Sequence, residues 1–294
     1  MEGSCVSYAF FVNQRNRGFS IRSLKTLVVQ FLILPLFALQ LSVSSAMAAD
    51  YEPIHSNPVH KITIARGIGN YAPLEMIRDG KLTGLHVDLI NYAASKLGIE
   101  VEFLSLPWGK ALKAFSAGDI DAISYFSYTK ERAEFTYYYE GNILSDTKWV
   151  FIALEEREQN FSIDTSLAGL EDYVIGVQEG YSYGEYFDHK DDLKRNVVVD
   201  VKDLERSLNS KTHDLAIISY QEFLAFKEQG YFDGIISLTP VLSSDSQYLA
   251  FSKSKSGSSQ LKNVAELFAK ELELFKRSDD YQALLERYDF YHYH

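Results

Sequence analysis

The chain has 294 residues, of which 46% are hydrophobic and 23% charged, and its formal net charge is −11. This composition is typical of a folded globular protein, and the length suits one or two domains. The acidic balance argues against nucleic-acid binding, because phosphates are bound by basic patches. The one cysteine, Cys5, lies in the first segment, so the rest of the chain has neither a disulfide nor a thiolate metal site.

Residues 1–48 have the pattern of a secretory signal peptide. Four basic residues precede a mostly apolar run from Leu27 to Val43, and Ala46-Met47-Ala48 then supplies a small-x-small cleavage site. A membrane anchor is the alternative, but Gln30 and Pro35 interrupt the apolar run. Cleavage would start the mature chain at Ala49 and change its net charge from −11 to −14, because residues 1–48 carry +3. We therefore predict a periplasmic protein.

The mature chain alternates strand-like and helix-like segments twice. The first round predicts strands at Lys61–Ala65, Glu100–Leu106 and Asp121–Ser124, with helices at Val87–Leu97 and Trp108–Ala117. The second round predicts strands at Tyr173–Gln178, Asn196–Val199, Asp214–Ile218 and Gly234–Leu238, with helices at Val201–Leu208, Tyr220–Gln229, Leu261–Phe275 and Tyr281–Tyr288. Such β-α-β alternation with short connections favours an α/β fold with parallel strands covered by helices.

Two β-rich segments, Lys148–Leu154 and Gln247–Phe251, connect the two rounds. We therefore predict two lobes, each a mostly parallel sheet flanked by helices, joined by two hinge crossings with a cleft between them. The predicted boundaries are residues 49–150 and 249–294 for lobe I and residues 151–248 for lobe II.

A run of hydroxyl residues follows the third predicted strand and ends at Arg132. Ser127 and Thr129 belong to this run, which lies where ligands bind in open α/β sheets, beyond the carboxyl ends of the strands. The planar guanidinium of an arginine can hold a carboxylate through two parallel hydrogen bonds. The run therefore indicates an anion-recognition loop, and a solvated arginine is the alternative.

The mature chain resembles the periplasmic solute-binding proteins of the polar amino-acid type, the bacterial extracellular solute-binding family 3. Seven segments carry the resemblance, in order and at the family's spacing: Tyr71–Glu75, Gly80–Leu89, Leu106–Trp108, Gly118–Ala122, Thr129–Ala133, Gly176–Gly180 and Tyr248–Lys253. The resemblance implies a type II periplasmic binding fold whose two lobes close on one small polar ligand. It also implies a monomer without a cofactor or metal that delivers its ligand to the membrane permease of an ABC importer.

The resemblance implies a role for each candidate ligand-binding residue. Arg132 would hold the ligand's carboxylate, with Ser127 and Thr129 in the loop that leads to it. Tyr71 would form an aromatic wall, and Ser182 would help to hold the carboxylate at a helix N-terminus. For Trp108 two interpretations stay open, since its ring could line the cleft or cover the core.

Two positions depart from the family's pattern. Ser219 stands where amino-acid binders have the carboxylate that pairs with the ligand's ammonium group, and Tyr125 stands where a small residue is frequent. A hydroxyl cannot neutralise a buried cation, so Glu75, Glu185 and Glu222 are candidate replacements.

Two other functions remain open from the sequence. One is a ligand-sensing module for a membrane receptor. The other is a periplasmic dehydratase acting on an arogenate-like or prephenate-like acid, for which Glu75 is the candidate catalytic acid or base. The prediction retained is a binding protein rather than an enzyme.

Overall fold

A ten-stranded mixed sheet runs through residues 59–290, the part of the chain that the computed structural model describes. The predicted signal peptide lies outside the described residues, as do the last four positions. None of the helices within residues 59–290 is long and apolar enough to span a membrane.

The strands and helices predicted from the sequence are all present in the predicted order, with further short elements between them. The strands are β1 (Lys61–Gly67), β2 (Met76–Arg78), β3 (Lys81–Thr83), β4 (Glu100–Leu106), β5 (Ala122–Ser127), β6 (Thr136–Tyr137), β7 (Ile143–Leu154), β8 (Val174–Gln178), β9 (Lys194–Val198), β10 (Leu215–Ser219), β11 (Ile235–Ser237) and β12 (Ser243–Ser252). The helices are α1 (Leu85–Leu97), α2 (Trp108–Ala117), α3 (Lys130–Glu134), α4 (Glu185–Asp188), α5 (Val201–Asn209), α6 (Tyr220–Glu228), α7 (Ser258–Lys276) and α8 (Asp279–Arg287).

The strand order of the main sheet is β4-β1-β5-β12-β7-β10-β8-β9, while β6 pairs with β12 and β11 pairs with β7. At one end β1 is parallel to β4 and β5, and at the other end β8 is parallel to β9 and β10. The two long strands β7 and β12 pair antiparallel between these groups and join them into one sheet. The predicted α/β class is thus confirmed, and the two predicted crossings are longer than the sequence indicated.

The apolar core divides into two parts along the chain. One part is built by residues 59–144 and 248–290, around Phe115, Phe251 and Phe268. The other part is built by residues 149–242, around Phe151, Phe187 and Phe232. We call these parts the first core and the second core. The assignment of residues 49–150 and 249–294 to one lobe and 151–248 to the other stays a prediction.

Candidate functional site

A β-bulge in β5 directs the residues that precede Arg132. Tyr125 has a φ of 54°, in the left-handed region that bulky residues rarely adopt, and the pairing of β5 with β12 shifts register between Tyr248 and Ala250. One strand with an extra residue bends locally and re-aims its side chains. Both Phe126 and Tyr125 pack in the first core, and Tyr125 also lines a cavity.

Arg132 lies one turn into α3 and is only 8% exposed. Its Nη1 donates to the carbonyl oxygen and the Oγ of Ser127, at 2.9 and 2.6 Å, and its guanidinium carbon lies 4.3 Å from the centre of the Phe126 ring. Thr129 caps α3, since its Oγ1 accepts from the backbone N–H of Arg132 at 3.1 Å. No carboxylate within residues 59–290 forms an ion pair with Arg132. An anionic ligand would relieve the cost of this buried, unpaired cation.

A narrow cavity of about 20 Å³, room for a single water molecule, lies beside Arg132. It is lined by Gly67, Tyr71, Trp108, Tyr125, Ser127, Arg132, Trp149, Tyr181, Ser182 and Gln247. Six of the eight predicted ligand-binding residues line it, and Thr129 and Ser219 do not. Thr129 instead lines an open groove of about 630 Å³ that also reaches Arg132.

The loop after β8 closes the narrow cavity from the side of the second core. The carbonyl oxygen of Gly180 accepts from Arg132 Nη2 at 2.9 Å and from Trp108 Nε1 at 3.0 Å. Tyr181 follows, and its hydroxyl donates to the hydroxyl of Tyr71 at 3.2 Å. These contacts join the loop after β8 to Arg132, Trp108 and Tyr71 across the narrow cavity.

Ser182 differs from its predicted role. Its Oγ donates to Asp188 Oδ2 at 2.6 Å, and α4 begins three residues later, at Glu185. The hydroxyl is therefore engaged within the loop, although the residue lines the narrow cavity.

A buried ionic network of Arg66, Glu75 and His86 packs against Tyr71. Arg66 is 1% exposed; its Nε donates to Glu75 Oε2 at 3.0 Å, and its guanidinium lies 5.7 Å from the centre of the Tyr71 ring. Burial alone would raise the pKa of Glu75, but the neighbouring His86 and Arg66 outweigh burial and lower it. The Tyr71 ring also lies so close to Gly67 and Gly69 that a side chain at either position would collide with it.

The position of Glu75 counts against its proposed catalytic role. The residue is fully buried and paired with Arg66, and it lines neither the narrow cavity nor the open groove. A catalytic acid or base must reach the ligand's reacting atom, and Glu75 is instead a structural partner of Arg66.

Ser219 caps α6, and Glu222, one turn further on, is the buried carboxylate beside the cleft. Ser219 Oγ accepts from the backbone N–H of Glu222 at 3.1 Å and donates to Glu222 Oε2 at 3.0 Å. Glu222 is 2% exposed, and burial raises its pKa to about 7. Burial, and after it the nearby Glu222 carboxylate, also raise the pKa of Tyr71 and Tyr125. From the sequence, Glu222 was one of three candidates to replace the carboxylate missing at Ser219, but its position relative to the cleft was not predictable.

A wide cavity of about 460 Å³ adjoins the narrow one. It is lined by Ile68, Gly69, Asn70, Tyr71, Pro107, Trp108, Gly109, Gln178, Glu179, Tyr181, Val199, Asp200, Val201, Lys202, Glu222, Phe226, Gln229 and Tyr231. Tyr71, Trp108 and Tyr181 face both cavities, so these three side chains form the wall between them.

Trp149 and Gln247, which were not predicted from the sequence, line the narrow cavity from β7 and β12. Both strands were predicted as crossings, and a crossing strand passes the mouth of the cleft. The inward-facing side chains of the two crossing strands were therefore the signal that could have identified both residues.

The sequence profile of the bacterial extracellular solute-binding proteins, family 3, matches residues 65–291. The chain therefore belongs to this family of solute-binding proteins, which confirms the resemblance. One relative, a probable histidine-binding protein of Campylobacter jejuni, is 28% identical over 237 residues, which cover 75% of this chain and 82% of the relative.

Two solved structures show the same fold. The substrate binding protein of an amino acid ABC transporter superposes with a TM-score of 0.61 at 19% identity, covering 78% of this chain and 98% of that chain. A histidine kinase sensor domain with similarity to periplasmic binding proteins superposes with a TM-score of 0.65 at 17% identity, covering 78% and 96%.

Proposed function

We propose that this protein binds an amino acid or a related carboxylate in the periplasm and presents it to the permease of an ABC importer. The cleft binds without chemical conversion, and the ligand's carboxylate takes the guanidinium of Arg132. One observation carries the proposal: a nearly buried guanidinium faces a cavity and has no carboxylate partner within residues 59–290. The family membership and the names of the relative and of the transporter protein support it.

The affinity for the ligand comes from contacts that form when the two predicted lobes close on it. A ligand that contacts Arg132 on one side and the Gly180–Ser182 loop on the other stabilises the closed form only, so binding favours closure. In the structure the carbonyl of Gly180 accepts from Arg132 Nη2, and the ligand's carboxylate would take over this contact.

The test is titration calorimetry on residues 49–294 with a panel of amino acids, dicarboxylates and amines, followed by the Arg132→Met variant. Loss of a desolvated charged partner should weaken binding about 100-fold or more. Arg78→Met is the matched control, because Arg78 is exposed and lines neither cavity, and its affinity should be unchanged.

Arg132→Lys keeps the charge but loses the planar fork, and it should bind with an intermediate affinity. Circular dichroism establishes that each variant is folded. Undiminished affinity in folded Arg132→Met would refute the assignment of the carboxylate to Arg132.

A further inference from the structure

The wide cavity offers the space that the narrow cavity lacks. Arg132 lines the narrow cavity, which at about 20 Å³ holds no more than a small group, whereas the adjoining cavity has about 460 Å³. The two are separated by Tyr71, Trp108 and Tyr181, and the hydroxyl contact from Tyr181 to Tyr71 closes the passage. Once that contact opens, a ligand held at Arg132 has room for its remainder in the wide cavity.

The charges around the wide cavity favour a cation. Its lining carries three carboxylates, Glu179, Asp200 and Glu222, against one ammonium group, that of Lys202. This ammonium lies 4.9 Å from the centre of the Tyr231 ring. Aromatic faces with an excess of negative charge form a suitable environment for an organic cation.

Of the three carboxylates that line the wide cavity, Glu222 is the one that most needs a partner. Its Oε2 accepts from Ser219, while its Oε1 is buried without a hydrogen-bond partner among residues 59–290. A buried carboxylate oxygen without a partner is costly, and a cation would satisfy it. The raised pKa of Glu222, about 7, has the same cause, since the buried carboxylate has too few partners to stabilise its charge.

The phenols near Glu222 stay neutral near pH 7. Burial raises the pKa of Tyr71, Tyr125 and Tyr181, and of Tyr183 as well. Burial raises the pKa of Glu222 to about 7, so its charge can change when a cation binds beside it. Glu179, Asp200 and Lys202 also line the cavity.

We propose that the wide cavity holds a cationic side chain of the ligand, an ammonium, guanidinium or imidazolium group, with Glu222 as its counter-ion. The inference rests on the proposed function, which places the ligand's carboxylate at Arg132. It goes further by selecting basic amino acids among the carboxylates that Arg132 could accept.

Arginine and citrulline provide a matched test, because they have nearly the same shape and differ in side-chain charge. The wild-type protein should bind arginine about tenfold or more tightly than citrulline in calorimetry. Glu222→Gln should abolish that preference, whereas Glu286→Gln, which alters an exposed carboxylate on α8 that lines neither cavity, should retain it. Equal affinities in the wild type, or a preference that survives in folded Glu222→Gln, would overturn the proposal. If Glu222 instead contacts the α-ammonium group, Glu222→Gln should weaken the binding of arginine and of citrulline equally. The preference for arginine would then survive, and the proposal would be wrong.

A measurement on the wild type alone avoids any dependence on variant folding. A cation beside Glu222 lowers its pKa, so arginine binding near pH 7 should release up to about half a proton, because a carboxyl with a pKa of about 7 is half protonated there, and citrulline binding should release none. Calorimetry in buffers of different ionisation enthalpy counts the released protons. Arginine binding without proton release would contradict the inference.

Agmatine, which has the guanidinium group but no carboxylate, separates the two proposals. Agmatine binding that Glu222→Gln abolishes, with no binding of amino acids, would uphold the cation site and refute the carboxylate site. Binding of neutral amino acids alone, dependent on Arg132, would uphold the proposed function and refute the cation site.

Discussion

Two buried carboxylates in this protein have opposite electrostatic surroundings. Glu75 is paired with Arg66 at 3.0 Å and lies 3.5 Å from His86, and these neighbours lower its pKa despite burial. Among residues 59–290 the hydroxyl of Ser219 is the one hydrogen-bond donor to the Glu222 carboxylate, so burial dominates and raises its pKa to about 7. The first carboxylate therefore stabilises the fold when ionised, and the second destabilises it when ionised.

Replacing each carboxylate by the isosteric amide should move stability in opposite directions. At pH 8 Glu75→Gln should lower the free energy of unfolding by about 3–5 kcal/mol, because Arg66 loses its buried partner. Glu222→Gln should raise it by about 3 kcal/mol, because its carboxyl pKa moves from the ordinary value of 4.5 to about 7 and each unit is worth about 1.4 kcal/mol. Urea unfolding of the unliganded proteins measures both.

The pH dependence follows from the same shifts. The contribution of Glu75 is present above its ordinary pKa of about 4.5 and is lost as pH falls through its lower folded pKa. The penalty from Glu222 is absent below about 4.5, grows as pH rises towards 7, and is complete above it. If the free energy of unfolding of Glu222→Gln were still higher than that of the wild type by the same amount at pH 4, packing rather than charge would be responsible.

At the scale of elements, the segment from β5 through α3 fixes the direction of Arg132. The bulge at Tyr125 bends β5 two residues before its end, and Thr129 then starts a helix of only five residues. So short a helix has little stability of its own, and its cap accounts for much of its order.

Thr129→Ala should therefore affect binding as well as stability. Loss of the cap should cost about 1 kcal/mol of unfolding free energy and weaken ligand binding, because Arg132 loses the hydrogen bond to its backbone N–H. Thr129→Ser retains a capping hydroxyl and should restore both. Thermal unfolding and calorimetry give the two readouts, and normal affinity in Thr129→Ala would show that Ser127 alone positions Arg132.

The sequence predicted elements whose signals are local. The limits of β4 and α2 match their predicted limits, since turn residues and periodicity mark both ends. The position of Arg132 beside a cavity was also predictable, because a hydroxyl run and an arginine after a strand form a local pattern. The roles of Glu222 and Tyr181 were not, since they depend on how α6 and the loop after β8 face the first core. That packing has no signature within either segment.

At the scale of the whole molecule, contacts to one loop hold the cleft closed. Arg132 and Trp108 both donate to the carbonyl of Gly180, and Tyr181 reaches Tyr71. At the rim Lys130 pairs with Glu185, but both side chains are largely exposed, at 73% and 70%. Exposed ion pairs contribute little, so the buried contacts to the loop dominate the closed form.

Linking the rim covalently should block ligand entry. Cysteines in place of Lys130 and Glu185 would be the only thiols in residues 49–294, and a short bis-maleimide reagent would join them. The ligand association rate should fall sharply in the linked protein, because the cleft has to open before a ligand enters. The unlinked double variant is the control, and an unchanged association rate after linking would contradict entry by opening of the cleft.

The position of Tyr181 has an optical consequence. The chain contains two tryptophans, and the rings of both, Trp108 and Trp149, lie close to the ring of Tyr181, at 5.7 and 6.0 Å between centres. Any ligand that displaces Tyr181 changes the surroundings of every indole in the protein at once. The emission spectrum of an unlabelled sample therefore reports on the binding site alone, free of background from tryptophans elsewhere.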